Sequence, residues 1–114
     1  MPFIDTRLNR PLPKDKEESI KRRLGEAIAI FPGKSEQWLM LNFTDNARLW
    51  FRGDDSEPMA MVEVQLLGNA SRPDCEKMTA RICDILEQEL GIAPDHVYVN
   101  YTFSTSWGWN GGLF

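Results

Sequence analysis

Trp38-Leu39-Met40-Leu41-Asn42-Phe43 stands five residues after Gly33, and His96-Val97-Tyr98-Val99-Asn100-Tyr101 stands five residues after Gly91. The offset between the two glycines, 91 − 33 = 58, also carries Asn42 onto Asn100 and Phe43 onto Tyr101, so the two stretches read as equivalent strands of a repeated unit. Working back from each, a helical pattern precedes the glycine. Ile20, Leu24, Ala27, Ile28 and Phe31 recur at helical spacing, which predicts a helix over residues 14–31 stopped by Pro32-Gly33. Met78, Ile82, Ile85, Leu86 and Leu90 do the same before Gly91, and Ser71 with Asp74 makes a capping pattern at that helix's start. A strand precedes each helix in turn. Residues 2–9 alternate, with Ile4, Thr6 and Leu8 on one side and Phe3, Asp5, Arg7 and Asn9 on the other, and residues 59–67 form a third long strand ending at Gly68. Residues 48–51 read as a short extra strand, residues 53–56 as a loop, and residues 104–114 as a tail rich in Trp and Gly.

The chain therefore reads as an α/β protein of two tandem βαβ units in one domain, residues 1–114. Right-handed crossovers related by a pseudo-two-fold axis put both helices on one face of a four-stranded mixed sheet. The other face then has no helix to cover it. The strand residues look apolar on both sides, Trp38 and Met40 against Leu39 and Leu41, so that face is expected to be buried by other subunits.

Composition narrows the partners. The formal net charge is −4, which does not favour nucleic acid. The run Lys21-Arg22-Arg23 is short and reads as a solvated helix face. Cys75 and Cys83 lie two turns apart on one helix, too far for a mutual disulfide, and a single His beside them gives no metal-ligand spacing. No stretch is long and apolar enough to span a bilayer, and Asp5, Arg7 and Arg10 interrupt any signal-like start. A cytoplasmic protein is the expectation, with export lacking a signal peptide as the variant of it.

The chemistry-bearing group is at the amino terminus. Removal of Met1 would leave Pro2 with a secondary amine, a group no side chain supplies. An α-amine titrates near roughly 8, and an apolar pocket or a nearby cation lowers that value. A base neutral near pH 7 can take a proton from carbon beside a carbonyl.

Several short motifs, in order along the whole chain, resemble the macrophage migration inhibitory factor and D-dopachrome tautomerase family of the tautomerase superfamily. They are Pro2-Phe3-Ile4, Gly33-Lys34 with an aromatic at Trp38, Ser56-Glu57-Pro58, Leu67-Gly68, the stretch from Pro94 to Tyr101, and Gly108-Trp109-Asn110 with Phe114. The resemblance implies a homotrimer and a keto–enol tautomerase of phenylpyruvate-like aromatic 2-keto acids, with dopachrome-like compounds as further substrates and no metal or cofactor. It implies Pro2 as general base, Lys34 as the carboxylate-binding cation, and the Leu67 amide as donor to a substrate oxygen. Asn100 and Tyr98 would reach the site from a neighbouring subunit, Tyr98 placing its hydroxyl near the proline. Phe3, Trp38, Trp107, Trp109 and Phe114 would form an aromatic pocket. Trp38 and Trp107 stand where the family often has Tyr and a smaller apolar residue, which would narrow the pocket.

The resemblance also implies two other readings. One is a secreted, cytokine-like ligand for a host receptor. The other is a hydratase or dehalogenase that uses Pro2 to steer water, with Arg7 and Arg10 near the amino terminus. Met59-Ala60-Met61-Val62 stands where a Cys-x-x-Cys pair occurs in the family, so thiol–disulfide chemistry is not expected there.

Overall fold

The computed structural model describes residues 1–114. Strand β1 spans Pro2–Leu8 and helix α1 Lys14–Ala27, followed by a 3-10 turn at Ile28–Ile30 and a second at Glu36–Trp38. Strand β2 spans Met40–Thr44, β3 Ala60–Leu67, α2 Arg72–Leu90 and β4 Val97–Ser104, with a 3-10 turn at Pro94–His96 before β4. Two short strands, β5 at Gly108–Trp109 and β6 at Gly112–Leu113, close the chain.

The main sheet has the order β2-β1-β3-β4. The outer pairs are parallel and the central pair, β1 with β3, is antiparallel, so the two βαβ halves are related by the expected two-fold symmetry. Both helices cover the same face. Ile4 and Leu8 of β1 and Ala60, Val62, Val64 and Leu66 of β3 pack against Ile20, Leu24, Ala27 and Ile28 and against Met78, Ile82, Ile85 and Leu86 in one buried cluster. Thr6 is buried with them. Arg23, the last residue of the basic run, is not simply solvated: its guanidinium reaches Glu89 at 3.2 Å and Gln88 at 2.8 Å, tying α1 to α2. The Ser71 hydroxyl caps α2 by accepting from the Asp74 amide, and Gly91 ends the helix with φ 67, a left-handed conformation that disfavours a β-carbon. Both cysteines are free thiols.

Three expectations are corrected. Trp38 is not in a strand. It closes the Glu36–Trp38 turn, whose amides at Trp38 and Leu39 bond back to Ser35 and Glu36, so β2 begins two residues later. Residues 48–51 form no strand: they join neither open edge of the sheet, β2 or β4, although the Phe51 ring packs on Tyr98 of β4. The segment instead runs into a tight turn closed by a Phe51–Asp54 bridge, with Arg52 and Gly53 both at positive φ.

The helix-free face is also more polar than expected. Reading across the strands, Met40, Phe3, Gln65 and Thr102 form one row, Asn42, Asp5, Glu63 and Asn100 the next, and Thr44, Arg7, Met61 and Tyr98 the third. Arg7 bridges Asp5 and Glu63 at 3.1 Å each, and Asn42 donates to Asp5 at 2.8 Å. A two-residue period sends every second strand residue to this face, and the polar members of β1 and β3 pair with one another there.

Candidate active site

The start of β1 pairs Pro2 with Leu66 at the far end of β3, and Pro2 is buried. Three loops converge on that corner. The first follows α1. Gly33, with φ 79, turns the chain so that the Lys34 amide bonds the Phe31 carbonyl, and the Lys34 ammonium then reaches the Leu67 carbonyl at 2.8 Å. The same loop lies close on α1: a β-carbon at Gly25 would collide with the Glu36 carboxylate, so a glycine in the helix interior leaves room for the segment carrying Lys34 and Trp38. The second loop begins where β3 stops at Gly68, whose amide bonds Ser104. The third is the carboxy-terminal hairpin. Asn110 and Gly111, at φ 52 and 79, form a two-residue turn between β5 and β6, and the Phe114 amide bonds the Trp107 carbonyl at 2.9 Å.

The hairpin supplies an aromatic wall. Trp109 meets Trp38 edge to face at 5.0 Å, and Phe114 lies against Trp109 at 5.8 Å. Pro2, Phe3, Trp38, Trp107 and Trp109, with Met1 and Met40, line an open cleft of about 820 Å³. Gln37 and Gln65 line it too, and neither side-chain amide makes a hydrogen bond within the chain. Sequence reading missed these two amides. The signal for Gln65 is its pairing with Phe3, a register that the sequence does not display.

Met1 occupies the corner between the cleft and Lys34. Its carbonyl accepts from the Leu67 amide at 3.1 Å. Its amine is held below the ordinary α-amine range, first by burial and then by the Lys34 ammonium beside it. With Met1 attached, the Pro2 nitrogen is an amide without basicity.

Thus Pro2, Lys34, the Leu67 amide, Phe3, Trp38, Trp107, Trp109 and Phe114 gather at one corner. Tyr98 and Asn100 do not. Tyr98 pairs with Met61, five residues from Leu66 along β3, or roughly 17 Å at the rise of a strand. Tyr98 is largely exposed and its ring meets Phe51 edge-on at 5.2 Å, at the rim of a small apolar hollow with Trp50, Met61 and His96. Asn100 pairs with Glu63 in the polar middle row. Arg7 and Arg10 are engaged elsewhere, Arg7 with its two carboxylates and Arg10 with the Ser56 carbonyl, so neither faces the Pro2 cleft.

Residues 1–114 match the family model described as macrophage migration inhibitory factor (MIF). The macrophage migration inhibitory factor of Rattus norvegicus is 27% identical over 116 residues, spanning 100% of this chain and 99% of the relative. That of Xenopus laevis is 29% identical over 93 residues, 80% of each chain. Among solved structures, the crystal structure of Leishmania major MIF2 superposes with a TM-score of 0.92 at 31% identity, covering 100% of this chain and 97% of the other. The macrophage migration inhibitory factor of Toxoplasma gondii reaches 0.90 at 18% identity, a likeness of fold.

Proposed function

The chain belongs to the macrophage migration inhibitory factor family, and from that premise we propose that it is a keto–enol tautomerase of aromatic 2-keto acids whose base is the Pro2 amine, freed by removal of Met1. Membership supports tautomerase or cytokine-like function in general. The placement of Met1 is the observation that favours the enzymatic reading. Its carbonyl oxygen sits on the Leu67 amide and its amine beside the Lys34 ammonium, within reach of an aromatic cleft. Cleavage of Met1 empties a corner that already holds one amide donor and one cation, and leaves a secondary amine between them.

In that site the Lys34 ammonium binds the substrate carboxylate, and the released Leu67 N–H donates to a substrate oxygen. The aryl ring enters between Phe3 and the Trp38–Trp109 wall. Neutral Pro2 nitrogen takes a proton from C3 of the keto form, the electron pair moves into the C2–C3 bond, and the carbonyl oxygen is protonated to give the enol; ketonisation runs the same steps in reverse. Tyr98 and Asn100 enter from a second copy of the chain in a homotrimer, since their own strand holds them away from Pro2. The Lys34 ammonium and the burial of Pro2 both lower the amine's proton affinity, which keeps it a free base near neutral pH.

The test is phenylpyruvate ketonisation by protein shown by mass spectrometry to lack Met1, beside Pro2→Gly and a form that retains Met1. A fall of about a hundredfold or more in kcat/KM in both altered proteins is expected for loss of a general base. Turnover at the wild-type rate in Pro2→Gly would end the assignment.

A further inference from the structure

We propose that Phe51 is a positioning residue for the reaction: its ring holds the exposed Tyr98 side chain in the orientation from which the hydroxyl reaches the Pro2 of a second copy. The assignment rests on the tautomerase reading above and adds to it the group that aims the residue contributed by the neighbour.

Tyr98 needs such a group. β4 is an edge strand, so Tyr98 has Met61 of β3 across from it and no strand of its own chain on the other side. A methionine side chain is unbranched and adapts its shape, so it holds a neighbour loosely. Tyr98 is largely exposed, and its hydroxyl makes no hydrogen bond within the chain. A tyrosine left to turn about its first side-chain bond sweeps its hydroxyl across many positions. A misplacement of about 1 Å can already cost a reacting group about a hundredfold in rate.

The Phe51 ring supplies the missing constraint. It meets Tyr98 edge to face, with 5.2 Å between centroids and 87° between planes, and it meets His96 at 5.5 Å and 67°. His96 is itself held by Asp95, with 2.8 Å between Nδ1 and Oδ1. An edge-to-face pair restrains the tyrosine ring without a polar contact, so the hydroxyl stays unbound and available to a neighbouring site.

The ring can restrain Tyr98 because it is fixed in its turn. The Phe51 amide donates to the Asp54 carbonyl at 2.9 Å and the Asp54 amide to the Phe51 carbonyl at 3.0 Å, around Arg52 and Gly53 at φ 54 and 76. Left-handed conformations at both central positions make the tight two-residue turn of a hairpin. The Arg52 guanidinium lies over the Phe51 ring, 4.8 Å from its centroid. Beyond the turn, the Ser56 hydroxyl donates to the Asp54 carboxylate at 2.6 Å, Arg10 donates to the Ser56 carbonyl, and Asn9 donates to the Glu57 carbonyl at 2.8 Å. These bonds tie the turn to the residues that follow β1. A functional group is placed well only when the residues behind it are themselves locked, and Phe51 meets that condition.

The experiment is a double-mutant cycle on Met1-free protein. Wild type, Phe51→Leu, Tyr98→Phe and the double variant are each assayed for phenylpyruvate ketonisation. Leu keeps apolar bulk and removes the ring edge. With the Tyr98 hydroxyl present, Phe51→Leu is expected to lower kcat/KM about tenfold, the worth of a good aromatic pair. The loss should fall mainly on kcat, because the carboxylate and ring contacts of the substrate lie at the other chain's corner. With the hydroxyl absent, Phe51→Leu should cost nothing more. A packing defect lowers turnover in both backgrounds alike, and equal losses overturn the assignment. So does a Phe51→Leu enzyme as active as wild type, or a Tyr98→Phe enzyme as active as wild type. If Phe51→Leu does not fold, Arg52→Ala frees the ring without removing it and carries the same comparison: a loss with the hydroxyl present and none without it supports the assignment, and any other pattern overturns it. If wild type does not turn over phenylpyruvate, the tautomerase reading fails and this assignment falls with it. If wild type is active and the two losses simply add, the assignment of Phe51 fails alone.

Discussion

Met1 and Lys34 make opposite demands on the nitrogen between them. The methionine turns it into an amide, and the lysine, through its positive charge, opposes its protonation once it is free. The site is therefore expected to show an ascending acid limb in kcat/KM as the Pro2 ammonium loses its proton, with its inflection below the roughly 8 of an ordinary α-amine. Lys34→Ala removes the cation. The protonated amine then becomes less costly, its pKa rises, and the limb moves to higher pH while KM for a keto acid increases. A pH profile of kcat/KM for the two proteins, with each profile's inflection compared, checks this. An unmoved limb with a raised KM would leave Lys34 as a carboxylate binder and remove it as the cause of the lowered base. Lys34 was legible as a candidate only through the family resemblance, in which Gly33-Lys34 with a following aromatic is one of the matching motifs; its own residues read as a surface lysine after a helix stop. The hydrogen bond that aims it, from Nζ to the Leu67 carbonyl, joins residues far apart in sequence, and only the fold brings them together.

Among the elements, those with long periodic patterns were readable. The two-residue alternation of β1 predicted Ile4, Thr6 and Leu8 as its buried side, and all three are buried. The apolar spacing in α2 named Met78, Ile82, Ile85 and Leu86, which form the helix's buried face. Short elements escaped because their stability comes from partners rather than from their own pattern. Residues 48–51 have strand-like composition but join neither sheet edge, and Trp38 has a strand-favouring ring but backbone amides that close a turn. The β5–β6 hairpin had a readable signal, the Asn110-Gly111 turn, hidden in a tail dominated by Trp.

One link between elements carries a pH signature. The Tyr101 hydroxyl of β4 bonds the Cys75 carbonyl at 2.9 Å and the Thr79 hydroxyl at 2.8 Å, joining the strand to α2. Burial pushes this phenol up to about 12 from 10.0. Between those values the unfolded chain has lost the proton and the folded chain keeps it, so stability is full below pH 10 and falls as pH rises toward 12. The side chain is partly exposed, and solvent screening reduces the loss to about 1 kcal/mol. Urea unfolding at pH 9 and pH 11 is expected to show this fall in wild type and a smaller one in Tyr101→Phe. Equal slopes in the two proteins would assign the alkaline loss to other groups.

At the scale of the whole molecule, the proposed site is divided by the sheet's own geometry. Pro2 and Tyr98 attach to β3 at positions five residues apart, and the strand between them is rigid and paired on both sides. No rotation of a side chain closes a gap of roughly 17 Å. Tyr98, Trp50 and Leu113 are largely exposed, which is the pattern of a surface made to be covered. In a ring of three copies each Tyr98 can face a neighbour's Pro2, and every site is then built from two chains. Complementation follows from that arrangement. Pro2→Gly lacks the base and Tyr98→Phe lacks the hydroxyl, so each homotrimer is impaired at all of its sites. When the two are unfolded together in equal amounts and refolded, about a quarter of the sites pair an intact Pro2 from one chain with an intact Tyr98 from the next. Phenylpyruvate turnover should recover to a comparable fraction of wild type, while the same proteins refolded apart and then mixed should not recover. A site completed within one chain has no intact copy in either mixture, so a co-refolded sample as weak as its parents would place Tyr98 outside the neighbour's catalytic corner.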